Sequence, residues 1–210
     1  TAWNIFNVLC STYIIFNIFW GINYNRKGIA WQLGLKEEKY TMEDLKLLNC
    51  LLIGKVNHSK RQLLQTQRAY PQTRELFGMV EDAYATVSKT YPFMHYTPVS
   101  IKPGIWKNIQ SYTGITGYYN PFTGEAQLNT QVPRFIQPYT ACHEVAHQLG
   151  YAKEMEANFA GYLAAAASKD TLLHYSVYFD LFLYANRNLF FVDSTTAKIY
   201  RKELMPEVVA

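Results

Sequence analysis

Apolar and polar positions alternate along this chain in blocks of different texture. From Thr1 to Asn25 no Asp, Glu, Lys, Arg or His interrupts a run rich in large apolar side chains, among them Ile5, Phe6, Leu9, Ile14, Ile15, Phe16, Ile18 and Phe19. About 20 such residues cross a bilayer core as a helix. Trp20 and Tyr24, then Arg26 and Lys27, close the run with the aromatic and basic side chains that favour a membrane interface. The pattern predicts a transmembrane helix over 1–25. Asn4, Asn7 and Ser11 fall on one of its faces and offer a polar stripe for packing on other membrane helices. No basic leader and no small-residue cleavage site accompany it, so it does not read as a signal peptide. Thr1 at the start, and a helical pattern that runs out at Ala210 without a stop, suggest a piece of a longer protein.

Beyond the first block the period changes twice. Thr41 to Asp44 is a capping-box pattern opening a helix through Leu45, Leu47, Leu48, Leu51 and Leu52, and Leu76, Phe77, Val80, Ala83, Tyr84 and Val87 recur at helical spacing. Between Tyr96 and Asn129 the texture is that of strands: Val99 and Ile101 alternate, and residues 115–119 and 126–129 flank a turn-like Asn-Pro-Phe-Thr-Gly. After Pro133 the pattern predicts helices over 138–149, 154–168, 171–190 and 194–207. His174, Asp180 and Arg187 mark the third of these as a packed helix rather than a second span. Residues 26–210 read as one mostly helical α+β domain with a small antiparallel hairpin.

Composition narrows the function classes. Charged residues make up 17% and aromatic residues 16% of the chain, too apolar a balance for a disordered segment. A net charge of +4, from 20 Lys+Arg against 16 Asp+Glu scattered along the sequence, gives no nucleic-acid footprint. Cys10, Cys50 and Cys142 are too few and too far apart for a disulfide scaffold or a cysteine-based zinc knuckle. Cys142 reads as packing; His58, in a polar stretch read as a turn, and His95, beside Phe93, read as surface or partly buried residues.

The chemistry concentrates in His143-Glu144-Val145-Ala146-His147. Histidines four apart on a helix share a face, so both imidazoles can reach one Zn²⁺ at about 2.0–2.1 Å. Glu144 lies about 100° around the helix from His143, where a general base for a metal-activated water belongs. A catalytic zinc takes three protein ligands. Gly150 can reverse the chain so that the next helix starts beside the metal, with Glu154 favoured as third ligand and Glu156 as the alternative. Glu154 shares a face with Asn158, which could hydrogen-bond the ligand set.

Glu154 and Asn158 resemble the third-ligand helix of gluzincin-type peptidases, in which a glutamate is followed four residues later by Asp or Asn. The whole chain resembles a family of bacterial membrane proteins of unknown function (domain of unknown function 3810). That likeness rests on Trp20-Gly21-Ile22-Asn23-Tyr24-Asn25-Arg26, on the stretch from Gly117 to Ala126, and on His143 through Asn158. The resemblance implies a zincin-like, membrane-anchored zinc metallopeptidase with a peptide or protein substrate, membrane lipid and other membrane proteins as its partners. It implies Glu125, Gln127 and Asn129 as a substrate-pairing strand at the edge of a sheet. Tyr118, Tyr119, Tyr151 and His174 are available to stabilise an oxyanion, and the sequence does not choose among them. Arg26 and Lys27 alone would put the domain in the cytoplasm. Earlier spans in the resembled family point instead to the outer face of the bacterial inner membrane. The competing reading is a non-catalytic assembly or scaffold protein that keeps the peptidase fold.

Overall fold

In a computed structural model describing residues 1–36 and 38–209, the opening apolar run forms helix α1 (Ala2–Phe19). Residue 210, the last of the expected main domain, lies outside the described residues. Helix α1 has a mean hydropathy of 1.4 over its 18 residues and none of it is buried, so it is long and apolar enough to cross a membrane. At about 1.5 Å per residue it spans about 27 Å, close to the roughly 30 Å of a hydrocarbon core. The expected helix over 1–25 is therefore shorter at its C-terminal end. Trp20, only 9% exposed, is drawn into the domain, and the chain leaves the helix there for a 3₁₀ turn over Gly21–Asn25.

The rest is helical around a small sheet. A single turn, α2 (Ile29–Gln32), buries Ile29 and leads to α3 (Met42–Thr66). The Thr41 hydroxyl accepts from the Asp44 N–H, and the Asp44 carboxylate accepts from the Thr41 N–H, closing the expected capping box. Helix α3 continues well past Leu52 because Val56 and Ser59 extend its buried face, so His58 is an exposed helical residue and not part of a turn. Helix α4 (Thr73–Val87) buries Leu76, Val80, Ala83, Tyr84 and Val87, the stripe that its period predicts.

Strand β1 (Ile101–Pro103), helix α5 (Lys107–Thr113), strand β2 (Gly117–Asn120) and strand β3 (Glu125–Leu128) follow. The expected hairpin is present: β2 pairs antiparallel with β3, Gly117 opposite Leu128. The sheet as a whole is mixed, because β1 joins β3 in parallel, Ile101 opposite Ala126. Strand order is β1-β3-β2, so β3 is central. Helices α6 (Gln137–Gln148), α7 (Glu154–Ala167), α8 (Thr171–Val192), α9 (Ser194–Lys202) and α10 (Pro206–Val209) complete the chain.

Helix α6 is the hub. Every one of its residues except His143 is buried, between α7, α4 and the sheet on one side and α8 on the other. Its last residue is bonded accordingly. The Gln148 amide donates to the carbonyls of Ser100 and Gly124 at 2.7 Å each, tying α6 to the residue before β1 and to the hairpin turn. A second core joins α3, α8 and α9 through Leu52, Val56, Phe182, Leu189 and Ala197.

Candidate metal centre

Placing two histidines one turn apart on a helix fixed from all sides leaves their rings little freedom. The Nε2 atoms of His143 and His147 face each other at 3.1 Å. After α6 the chain turns at Gly150, whose φ of 88° lies in the left-handed region that glycine enters without a Cβ clash. The turn brings the Tyr151 carbonyl to His147, where it accepts from Nδ1 at 2.7 Å. A carbonyl only accepts, so Nδ1 holds the proton and Nε2 keeps its lone pair free.

Glu154 opens α7 in the first turn, where the helix dipole favours a carboxylate. Its two oxygens stand 3.2 Å from His143 Nε2 and 3.6 Å from His147 Nε2. With one donor atom from each residue within 4.8 Å of the others, the three groups form a cluster able to hold a metal ion. Two imidazole nitrogens and a carboxylate are donors that suit a divalent cation such as zinc, so the residues present fit one. Glu156 is carried round the helix to Gly28 and pairs with Lys153 at 3.5 Å. Of the two carboxylates, the structure brings Glu154 to the histidines.

Close helix contact sets these distances. A Cβ on Gly161 of α7 would lie 3.1 Å from the backbone N and Cα of His143, and Ala157, Ala160 and Ala164 continue the small-residue seam. The Tyr139 hydroxyl donates to the Asn158 carbonyl at 2.9 Å, and the Asn158 side chain lies beside His143. Even so, His143 Nδ1 is buried without a partner.

Glu144 is 4% exposed, and its Oε2 is likewise buried without a partner. Gly117 at the start of β2 makes room for it: a Cβ there would lie 2.7 Å from Glu144 Oε1. Burial pushes the Glu144 carboxyl up to about 7, with His143 opposing and Glu154 adding to the rise. Burial depresses the His143 imidazolium, but the Glu154 hydrogen bond and the nearby carboxylates outweigh it and the net direction is upward. His147 is shifted down, by burial and then by the neighbouring His143. Glu154 is held low, chiefly by its hydrogen bond to His143.

A cavity of about 470 Å³ opens over these groups, lined by His143, Glu144, His147 and Glu154 together with Phe16, Trp20, Tyr118 and Tyr119. Of the four oxyanion candidates, Tyr118 and Tyr119 reach the cavity, and burial raises the pKa of both hydroxyls, keeping them proton donors. Tyr151 does not: its ring is buried and its hydroxyl donates to Gln32 at 2.5 Å, leaving only its carbonyl to orient His147. His174 lies beside Tyr178 on α8, its ring centroid 5.9 Å away, and is not among the cavity's lining.

The expected substrate strand is corrected by the topology. Strand β3 is paired on both sides, so Glu125, Gln127 and Asn129 offer no free edge. Glu125 pairs with Lys102, Gln127 is 4% exposed, and Asn129 is fully buried, bonded to Ser111 and the Ile115 carbonyl. The edge strand beside the cavity is β2, with Gly117, Tyr118 and Tyr119.

Four contributors carried no obvious mark in the sequence. Trp20 packs its ring 5.8 Å from that of His147 and 4.8 Å from that of Tyr119. Gly161 and Gly117 matter through the side chain they lack. Asp180, whose carboxyl burial raises, lies within electrostatic reach of His143 from α8; a lone acid in an apolar helix was its only signal.

Comparison with known proteins places the chain at the level of family. The family model described as "Protein of unknown function (DUF3810)" matches residues 1–210, and the chain belongs to that family. No curated protein and no solved structure matches it.

Proposed function

We propose that this member of the DUF3810 family is a membrane-anchored zinc metallopeptidase of gluzincin type with a zincin-like fold. His143, His147 and Glu154 would hold Zn²⁺ and Glu144 would act as general base. The observation that carries the reading is the buried, unpartnered Glu144 Oε2 beside three converging metal donors. Such a carboxylate is costly to bury unless it has a task. When bound, zinc supplies Lewis acidity that polarises a carbonyl and lowers the pKa of water toward about 7.

The chain's own groups complete the chemistry. Glu144 Oε2 takes a proton from the attacking water and passes it to the leaving amine. Its burial beside the metal donors puts the carboxylate within reach of both steps. Tyr118 and Tyr119, which line the same cavity, would donate to the carbonyl oxygen as it gains charge. The free edge of β2 can align an extended peptide by main-chain pairing. The protein's location, by the resemblance to a family with earlier spans, would be the outer face of the bacterial inner membrane, against the pull of Arg26 and Lys27 toward the cytoplasm.

A scaffold role is the second reading, favoured by the exposed face of α1 bearing Asn4, Asn7 and Ser11. Against it, a structural zinc normally has four protein ligands, and the cluster has three among the described residues. Purified full-length protein should contain about one zinc per chain. Glu144→Gln should keep that metal and abolish peptide hydrolysis. Native protein without zinc, or a Glu144→Gln variant that still cleaves, refutes the peptidase.

A further inference from the structure

Helix α5 is built inside out. The side turned to the protein is polar: Gln110 is buried, Ser111 bonds Asn129 and Gln131, and Asn108 accepts from the Gln131 amide. The outer side is apolar, with Ile105, Trp106, Ile109 and Tyr112 exposed by 73, 59, 61 and 95%. Ile109 and Tyr112 recur at helical spacing on α5, and Ile105 and Trp106, in the turn that leads into it, extend the exposed apolar stripe, with Lys107 at its edge. Water is a poor neighbour for such a face. A Trp and a Tyr among aliphatic residues and a lysine are the mixture that settles at a bilayer interface.

Position names the occupant. The residues that follow α5, Gly114 and Ile115, line the same cavity as Phe16 and Trp20 at the end of α1. The stripe therefore ends at the level where the apolar span ends. Phe122, at the tip of the β2–β3 turn, stands with its ring centroid 6.4 Å from that of Phe19 and marks the same level. We propose that α5 rests in the headgroup region of the membrane that α1 crosses, so that the mouth of the metal centre opens at the bilayer surface. This rests on reading α1 as a span. Together with the peptidase proposed above, on which this last step rests, it makes the substrate class a chain held at the membrane and cut close to its anchor.

The test uses full-length protein in lipid vesicles. Tyr112→Cys is made in a Cys10→Ala, Cys50→Ala background and labelled with an environment-sensitive NBD fluorophore; the fully buried Cys142 stays unlabelled. Nitroxide on the lipid acyl chains should remove most of the emission at position 112, whereas aqueous iodide should remove little. A label at Glu81→Cys on exposed α4 should behave in the opposite way. A label at Val8→Cys reports on α1. If it escapes the lipid nitroxide, the membrane anchor fails and the proposal with it. If Val8 is quenched by lipid but position 112 is quenched by iodide, the proposal alone fails. Shielding of position 112 from both quenchers would mean that a protein partner or a second copy covers the stripe, and would also overturn it.

Discussion

Replacing Gly161 by alanine puts two effects of opposite sign in competition. Alanine is the better helix former by about 0.8–1.0 kcal/mol, so α7 taken alone should gain stability. The new methyl, however, would sit 3.1 Å from the His143 backbone, and its neighbour there is another helix rather than a flexible side chain. Ordinary carbon contacts begin near 3.5 Å, so α6 and α7 must separate by about 0.4 Å. Overpacking of this kind costs about 1–3 kcal/mol, leaving a net loss of about 1 kcal/mol. For a chain of this size that lowers the Tm by about 2–4 °C. The same separation moves Glu154 away from His143 and His147 by about twice the 0.2 Å tolerance of a metal bond. Zinc affinity should fall about 10–100-fold, the range seen when groups supporting a metal site are lost. Thermal unfolding without metal, and zinc titration against a chromophoric chelator, measure the two terms separately. A higher Tm with unchanged zinc affinity would refute the close-packing argument, because helix propensity alone would then account for the variant.

Two further outcomes are expected beside the Glu144→Gln result and the quenching pattern at position 112. Glu154→Gln should lose zinc under dialysis, while Glu156→Gln, which alters a carboxylate turned toward Gly28, should retain it; the reverse would make Glu156 the ligand. Asp193 caps α9, and its carboxyl is held at about 2, chiefly by its bonds to Thr196 and then by Lys46. A carboxyl lowered from 3.8 in this way stabilises the fold fully above about pH 4, and its contribution disappears as pH falls through 2. Asp193→Asn keeps a good cap, so its denaturant midpoint should fall less between pH 5 and pH 2 than that of the wild type.

Local physics made part of this legible in advance. Helical spacing alone puts His143 and His147 on one face, and Gly150 announces the turn that delivers Glu154. Thr41 with Asp44, and Asn-Pro-Phe-Thr-Gly, are short-range patterns whose bonds close within a few residues. What stayed hidden depends on distant partners. Nothing in residues 101–103 says that they pair with β3 in parallel, and that pairing moves the free edge from Gln127 to Tyr118. The uncharged run does not reveal that Trp20 will leave the helix, because its reason, the His147 ring, lies more than a hundred residues away. The stripe on α5 escaped notice because an apolar residue is expected to face inward, and here the solvent side is the one that departs from that rule.

The segment that follows α1 also changes what counts as the smallest working piece of this protein. Trp20 packs on His147, Asn23 and Arg26 close over Gly150, and the Arg26 guanidinium donates to the last carbonyl turn of α6. A fragment begun at residue 26, after the uncharged run, would lack Trp20 and Asn23 and with them one wall of the candidate metal centre. The segment that leaves α1 and the candidate centre thus belong together, and trimming the whole run to ease purification would remove part of the site to be studied.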